Sequence, residues 1–365
     1  MNIKIQTNTF NECVHIASRF AERKSGTVSA FTAILITAKQ KSITLRATNL
    51  EMSAVLTVPG EILEEGECVL PSIILKNITS SLSGGTVSLE KKGDTIHILS
   101  KSGKSTVKTL PTEDFPIVSG PEQEGVRFTI EGALLKQLIG TVAPCASAST
   151  IRPELASVLL CAEGGKLKAV ATDSFRLIEK YIPLPAKVPT FTTLIPAKNA
   201  MDILQVIPDS EVEVVCSEHQ GSFMWAGNSI HTRLVSAQYP DYVQIIPKTF
   251  IAEAEVSKKT FEEALRRVAV FSDSFQKITL GFDQKKKQIT LFAAHSDIGE
   301  STESLDGSLS GESVSLSFNH RYIQTPISLI GTEQIVLKSA GIGRPLVILG
   351  AKDTGMLYLV MPMNQ

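Results

Sequence analysis

The chain carries one ordered pattern of elements three times over, and no other feature limits its fold as strongly. Phe10, Cys13, Val14 and Ala17 fall at i, i+3, i+4 and i+7, one face of a helix. Phe261, Ala264, Leu265 and Val268 repeat that spacing, and Leu135, Leu138, Ile139 and Val142 repeat it midway, about 125 positions from either. Thr9 with Glu12 and Thr260 with Glu263 predict capping boxes on the first and third of these helices. A short alternating strand precedes each helix, at 3–5, 126–130 and 254–256. A longer strand recurs at 42–48, 166–172 and 288–294, and a strand leading into a second helix recurs at 69–72, 194–197 and 316–319. The second helices carry Ile74, Ile78 and Leu82, then Met201, Leu204 and Ile207. In the third copy Pro326 is expected to end or kink the helix, because proline has no helix donor.

A period of about 120 residues is a normal domain size and far exceeds a solenoid repeat. The expected architecture is therefore α+β, three repeated domains at 1–120, 121–248 and 249–365, each two helices packed on β-sheets. The joints are expected in the Pro- and Gly-containing stretch 116–125 and around 246–252.

Charge and composition exclude several classes. Lys and Arg number 36 against 37 Asp and Glu, a net charge of −1, so bulk polybasic attraction to nucleic acid is excluded while a local basic face is not. No stretch approaches the ~18 apolar residues of a membrane helix, and the first residues lack the apolar core of a signal peptide. The five cysteines (Cys13, Cys68, Cys145, Cys161 and Cys216) have no C-x-x-C spacing and are expected as free thiols in a reducing cytoplasm.

Catalytic signals are weak. Gly103-Lys-Ser105 ends like a phosphate-binding loop, but Ile98 stands where that motif needs its first glycine. Gly341-Ile-Gly343 opens like a dinucleotide turn and has Leu346 at its third glycine position. The six histidines show neither H-E-x-x-H nor close pairing with cysteine, so no metal is expected. A non-catalytic scaffold fits better than an enzyme. A nucleotide-handling enzyme on a triplicated scaffold and a monomeric peptide-binding adaptor remain as alternatives. Basic residues recur near the helices (Arg19, Arg23, Lys24, Lys76, Lys136, Lys198, Lys258, Lys259, Arg266 and Arg267) and would touch phosphates without reading bases. Apolar residues cluster at unit ends: Phe175, Leu177, Pro240, Tyr242 and the terminal LVMPM at 359–363.

Read together, ATDSFRL at 171–177, YPDY at 239–242, TLPTEDFP at 109–116 and VMPM at 360–363 make the chain resemble, over its whole length, the bacterial DNA polymerase III β subunit family of sliding clamps. The resemblance implies a head-to-tail homodimer closing a six-domain ring around duplex DNA, without cofactor or chemistry of its own, tethering the replicative polymerase in the cytoplasm on the nucleoid. It implies a ring interface using Ile78, Leu82, Ser105 and Val107 on one face and Val270 and Phe271 on the other. DNA contacts would fall to Arg23, Lys24, Lys136, Arg152 and Lys198. It further implies a pocket for short peptides of polymerases, the clamp loader and repair proteins. That pocket would use Leu155, Thr172, Ser174, Phe175, Arg176, Leu177, Pro240, Ile245, Asn319, Tyr322, Val360, Met361, Pro362 and Met363, with Arg176 orienting the peptide. The chain departs from the family pattern at Ser29-Ala-Phe31, at Pro153-Glu154, at Gln244 where a basic residue is common, and at Asn364-Gln365 where Arg-Leu often ends the chain.

Overall fold

The computed structural model describes residues 1–21, 30–118, 120, 124–184, 188–353 and 355–363. Among them are six α-helices: α1 (Thr7–Ala17), α2 (Ser72–Ser81), α3 (Gly132–Val142), α4 (Ala197–Leu204), α5 (Lys258–Ala269) and α6 (His320–Leu329). The repeated apolar stripes bury as their spacing requires. Phe10, Val14 and Ala17 of α1, Leu135, Leu138, Ile139 and Val142 of α3, and Phe261, Ala264, Leu265 and Val268 of α5 are all buried. Each large side chain among them contributes about 1.5–3 kcal/mol.

The helix starts differ from expectation for a reason common to the repeats. α1 begins at Thr7, directly after the strand Asn2–Gln6, and its first N–H donates to the Gly85 carbonyl at 3.0 Å. α5 begins at Lys258, whose N–H donates to Glu333 at 2.9 Å, and the cap is Ser257, whose hydroxyl accepts from the Thr260 amide. The boxes expected at Thr9/Glu12 and Thr260/Glu263 do not form, because neighbouring carbonyls already satisfy donors of the first turn. Gly132, Ala197 and His320 donate likewise, to Ser210, Ala156 and Gln276. At Gly132 the approach is so close that a Cβ would lie 1.9 Å from the Pro208 carbonyl oxygen.

Two second helices need comment. The second helix of the first repeat buries Ser72, Leu75 and Thr79, while Ile73 and Ile74 are exposed and Ile78 and Leu82 only half-buried. The Ile74–Ile78–Leu82 row thus lies off the buried face of this helix. Pro326 neither ends nor replaces α6, which runs on to Leu329. The carbonyl that Pro326 cannot serve is that of Tyr322, four residues earlier, and the buried Tyr358 phenol donates to it at 2.7 Å.

The chain divides into two compact units, Met1–Lys136 with Lys198–Ser236, and Gln137–Ala197 with Ala237–Gln365. The first holds a five-stranded antiparallel sheet ordered Gly60–Glu64, Asn2–Gln6, Thr86–Lys92, Thr95–Ser100, Gly103–Lys108. It also holds an eight-stranded sheet in which Asn228–Arg233 pairs with Met52–Val58, from Ser229 opposite Val55 to Thr232 opposite Met52. The second holds a nine-stranded sheet in which Arg176–Pro183 pairs with Met356–Val360, Arg176 opposite Val360. Its other sheet is ordered Gly299–Asp306, Gln288–His295, Lys277–Asp283, Val314–Asn319. In each unit the long sheet joins strands of adjoining repeats through unbroken backbone hydrogen bonds, so compactness divides the chain elsewhere than the repeat does.

All five cysteines are free thiols. No helix of the described residues is long and apolar enough to cross a membrane.

Candidate functional site

The second unit contains a turn that its own side chains lock in place. Thr172 Oγ1 donates to the Arg176 carbonyl at 2.7 Å and accepts from the Ser174 amide at 3.1 Å. One carboxylate oxygen of Asp173 accepts from the amides of Phe175 and Arg176, at 2.9 and 3.0 Å. Asp and Thr suit this because short side chains can replace backbone partners in a turn. Ser174 is thereby held at φ 79°, a left-handed conformation uncommon for a residue with a Cβ. The product is an exposed Phe175 at the apex, 60% accessible, stacked on Tyr322 of α6 at 6.5 Å between ring centroids.

Arg176 is spent on the fold. Its Nε donates to Asp173 at 2.9 Å, Nη1 to Thr325 Oγ1 at 2.8 Å and Nη2 to the Pro144 carbonyl at 3.0 Å, and the guanidinium lies 4.7 Å from the Tyr322 ring centroid. All three nitrogens thus have partners within the unit, and Arg176 fixes the turn and Tyr322 instead of lining the cavity described next. Burial, then the charge of Asp173, raises the Tyr322 phenol above its ordinary pKa. Burial pushes the nearby Cys145 thiol up to about 12, against the pull of Arg176, so it stays protonated near neutral pH.

The cavity beside this turn encloses about 740 Å³. Its walls are Ser174, Phe175, Asn319, Tyr322, Met361, Pro362 and Met363, together with Asp273, Phe275 and Lys277. The terminal segment is pinned at both ends: the Met361 amide donates to Phe175 and the Met363 amide to Ser317, each at 2.8 Å. Asn319 caps α6 by accepting from the Arg321 amide at 3.0 Å and reaches the Phe275 carbonyl at 3.4 Å. Asp273, Phe275 and Lys277 were not legible as site residues. Asp273 and Phe275 belong to the connection between α5 and the strand Lys277–Asp283, which has no periodicity, and Lys277 is that strand's first residue. The triplet Asp273-Ser-Phe275, which repeats Asp173-Ser-Phe175, is the signal that could have found the first two.

The other expected pocket residues do not line this cavity. Leu155, Thr172, Leu177 and Val360 are buried, Leu177 and Val360 within the nine-stranded sheet. Pro240 and Ile245 are exposed. Between them Tyr242 is buried, its phenol donating to Glu179 and its ring edge-on to Tyr239 at 6.3 Å. YPDY is thus a local packing motif that sets the position of its exposed neighbours.

Of the expected DNA contacts, Arg23 and Lys24 lie outside the described residues. Lys136 pairs with Asp209 at 2.6 Å, Arg152 with Glu154 at 3.0 Å, and Lys198 is exposed on α4. On α5, Arg267 makes a two-point ion pair with Glu303, and Arg266 pairs with Glu262. Of the expected interface residues, Ile78, Leu82, Ser105 and Phe271 are half-buried, Val270 is 65% exposed, and Val107 points into its own sheet at 8%. Gly103-Lys-Ser105 opens the strand Gly103–Lys108, hairpin-paired to Thr95–Ser100, with no helix N-terminus to receive a phosphate. Gly341 and Gly343 sit in the turn between the paired strands Gln334–Ser339 and Leu346–Gly350.

Comparison with known proteins gives one answer along the chain. Residues 1–119, 129–241 and 243–364 match the family models for the N-terminal, central and C-terminal domains of the DNA polymerase III beta subunit. A beta sliding clamp of Streptomyces coelicolor is 25% identical over 379 residues, covering 100% of this chain and 99% of that protein. The DNA polymerase III subunit beta of Pseudomonas aeruginosa superposes with a TM-score of 0.94 at 23% identity, covering 100% of both chains. A clamp from the same organism, solved bound to griselimycin, gives 0.93 at 24% identity, again over 100% of both chains.

Proposed function

The chain belongs to the DNA polymerase III beta subunit family, and on that premise we propose that two copies join head to tail into a ring enclosing duplex DNA. Its function is that of a sliding clamp, a non-catalytic accessory that gives the polymerase processivity. The proposed domains are 1–120, 121–248 and 249–365. The proposed ring works in the cytoplasm, on the nucleoid, and holds DNA by enclosure, so few phosphate contacts suffice and a net charge of −1 is no obstacle. Lys198, with Arg23, Lys24, Lys136 and Arg152, would supply those contacts.

The observation that carries the ring is a pair of open sheet edges of opposite charge. Gly103–Lys108 ends the five-stranded sheet and Gly299–Asp306 ends the four-stranded one. Open edges present unpaired N–H and C=O groups that invite another strand. Lys101, Lys104 and Lys108 flank the first edge, while Glu300, Glu303 and Asp306 line the second. Exposed Val270 and Ile298 stand near the second, and Ile73 and Ile74 are the exposed apolar residues of α2. A heterologous pairing of this kind closes when its rotation suits a ring. The cavity formed by Phe175, Tyr322 and residues 361–363 is the proposed seat for short peptides of the polymerase, the clamp loader and repair proteins. Aromatic and methionine walls suit apolar anchors from different partners.

The charge pattern supplies the test. Wild-type protein is expected to run at twice 39.4 kDa in light scattering. Lys104→Glu with Lys108→Glu should shift it toward the monomer. Mixing that variant with a Glu300→Lys, Asp306→Lys chain should restore a dimer. A wild-type chain that stays monomeric at micromolar concentration contradicts the ring.

A further inference from the structure

We propose that Lys277 selects partner peptides bearing a carboxylate beside their apolar anchors, an inference that rests on the peptide-binding reading of the cavity above. Among the described residues, Lys277 is the only cationic side chain lining that cavity. Arg176, the nearest other cation to its aromatic wall, has all three guanidinium nitrogens engaged by Asp173, Thr325 and Pro144. Strand register explains why Lys277 points there. Ile278 and Leu280 turn into the core, so Lys277 and Thr279 take the opposite face of the strand. On that face Lys277 stands opposite Asn319 and Thr279 opposite Ser317, the residue whose carbonyl holds Met363.

The remaining polar groups of the cavity leave the ammonium unanswered. Asn319 is occupied by the Arg321 amide and the Phe275 carbonyl. Asp273, the one carboxylate in the wall, has Oδ1 held by the amides of Phe275 and Lys277 at 3.0 Å each, and no ion pair joins it to Lys277. A half-buried ammonium facing an aromatic and methionine-lined space favours an incoming anion more than an exposed lysine does, since water there screens less. The carboxylate can come from an Asp or Glu side chain or from a peptide's own C-terminus, and the test separates them.

The probes are hexapeptides with leucine and phenylalanine anchors flanking one aspartate, the asparagine counterpart, and both in C-terminally amidated and free-acid forms. Affinity is read by fluorescence anisotropy on the full chain. The amidated aspartate peptide is expected to bind about five- to tenfold tighter than the amidated asparagine peptide. That ratio should fall to near one in Lys277→Met, invert in Lys277→Glu and persist in Lys277→Arg. If instead the free-acid form of the asparagine peptide gains the advantage, and loses it in Lys277→Met, the carboxylate recognised is the chain end. Equal affinities for all four peptides on wild-type protein overturn the role of Lys277 and leave the cavity as an apolar peptide seat. If no peptide binds wild-type protein, the peptide-binding reading falls, and this inference with it.

Discussion

His231 shows how a single side chain in this molecule can be tied to a measurable pH dependence. It is 4% exposed, with Nδ1 at 2.8 Å from Ser222 Oγ and 3.0 Å from the Gln220 amide, and Nε2 at 3.0 Å from Ser229 Oγ. These partners serve a neutral ring, and burial lowers its pKa from 6.5 to about 4. The neutral ring's contribution to stability is therefore complete above about pH 6.5. As pH falls, the unfolded chain takes up the proton first, so stability is lost progressively toward about pH 4. The group can account for about 2 kcal/mol between about pH 7 and pH 5. Urea unfolding midpoints should fall across that interval, and a His231→Gln variant should flatten the fall. An equal fall in the variant would assign the pH dependence to other groups.

At the scale of elements, the turn at 172–176 and the turn at 48–52 are the same device. Thr48 donates to the Met52 carbonyl at 2.9 Å and accepts from Leu50, Asn49 accepts from the amides of Glu51 and Met52, and Leu50 sits at φ 72°. The Arg233 amide donates to Glu51 at 2.9 Å as the Met361 amide does to Phe175. What differs is the apex: Leu50 and Glu51 in the first repeat, Ser174 and Phe175 in the second. The second turn stacks its Phe175 on Tyr322 of α6, and Pro326 is part of how that tyrosine is placed. Replacing Tyr358 by Phe leaves the Tyr322 carbonyl without its donor and should cost about 1–2 kcal/mol in unfolding free energy. Peptide affinity should weaken at the same time. A variant with wild-type stability and affinity would show that the bond between Tyr358 and Tyr322 is dispensable.

This scale also shows what the sequence could reveal. The stripes Phe10–Val14–Ala17 and Phe261–Leu265–Val268 were legible because helical burial leaves a period. The segment ATDSFRL was legible only through the family resemblance, and the structure adds that its short polar side chains lock it as a turn. The capping boxes misled because carbonyls far along the chain, Gly85 and Glu333 just ahead of strands, took over the first helical donor. Asp273 and Phe275 were missed although Asp273-Ser-Phe275 repeats the triplet Asp173-Ser-Phe175, and Lys277 was missed because its part in the cavity comes from sheet register.

For the whole molecule, the central physical claim is enclosure. The sheets that run between repeats make a continuous backbone-bonded scaffold in each compact unit, and in the proposed ring the edges at Gly103–Lys108 and Gly299–Asp306 would take the second copy. A ring closed there needs no strong grip on phosphates, so salt should not release it. The direct measurement is retention on a nicked circular plasmid at high salt, after loading by a clamp loader and ATP, before and after a single restriction cut. Protein that stays on the circle and leaves once the DNA is linear is the expected result. Loss from circle and linear DNA alike as salt is raised would mean that charge, not closure, holds the protein on DNA.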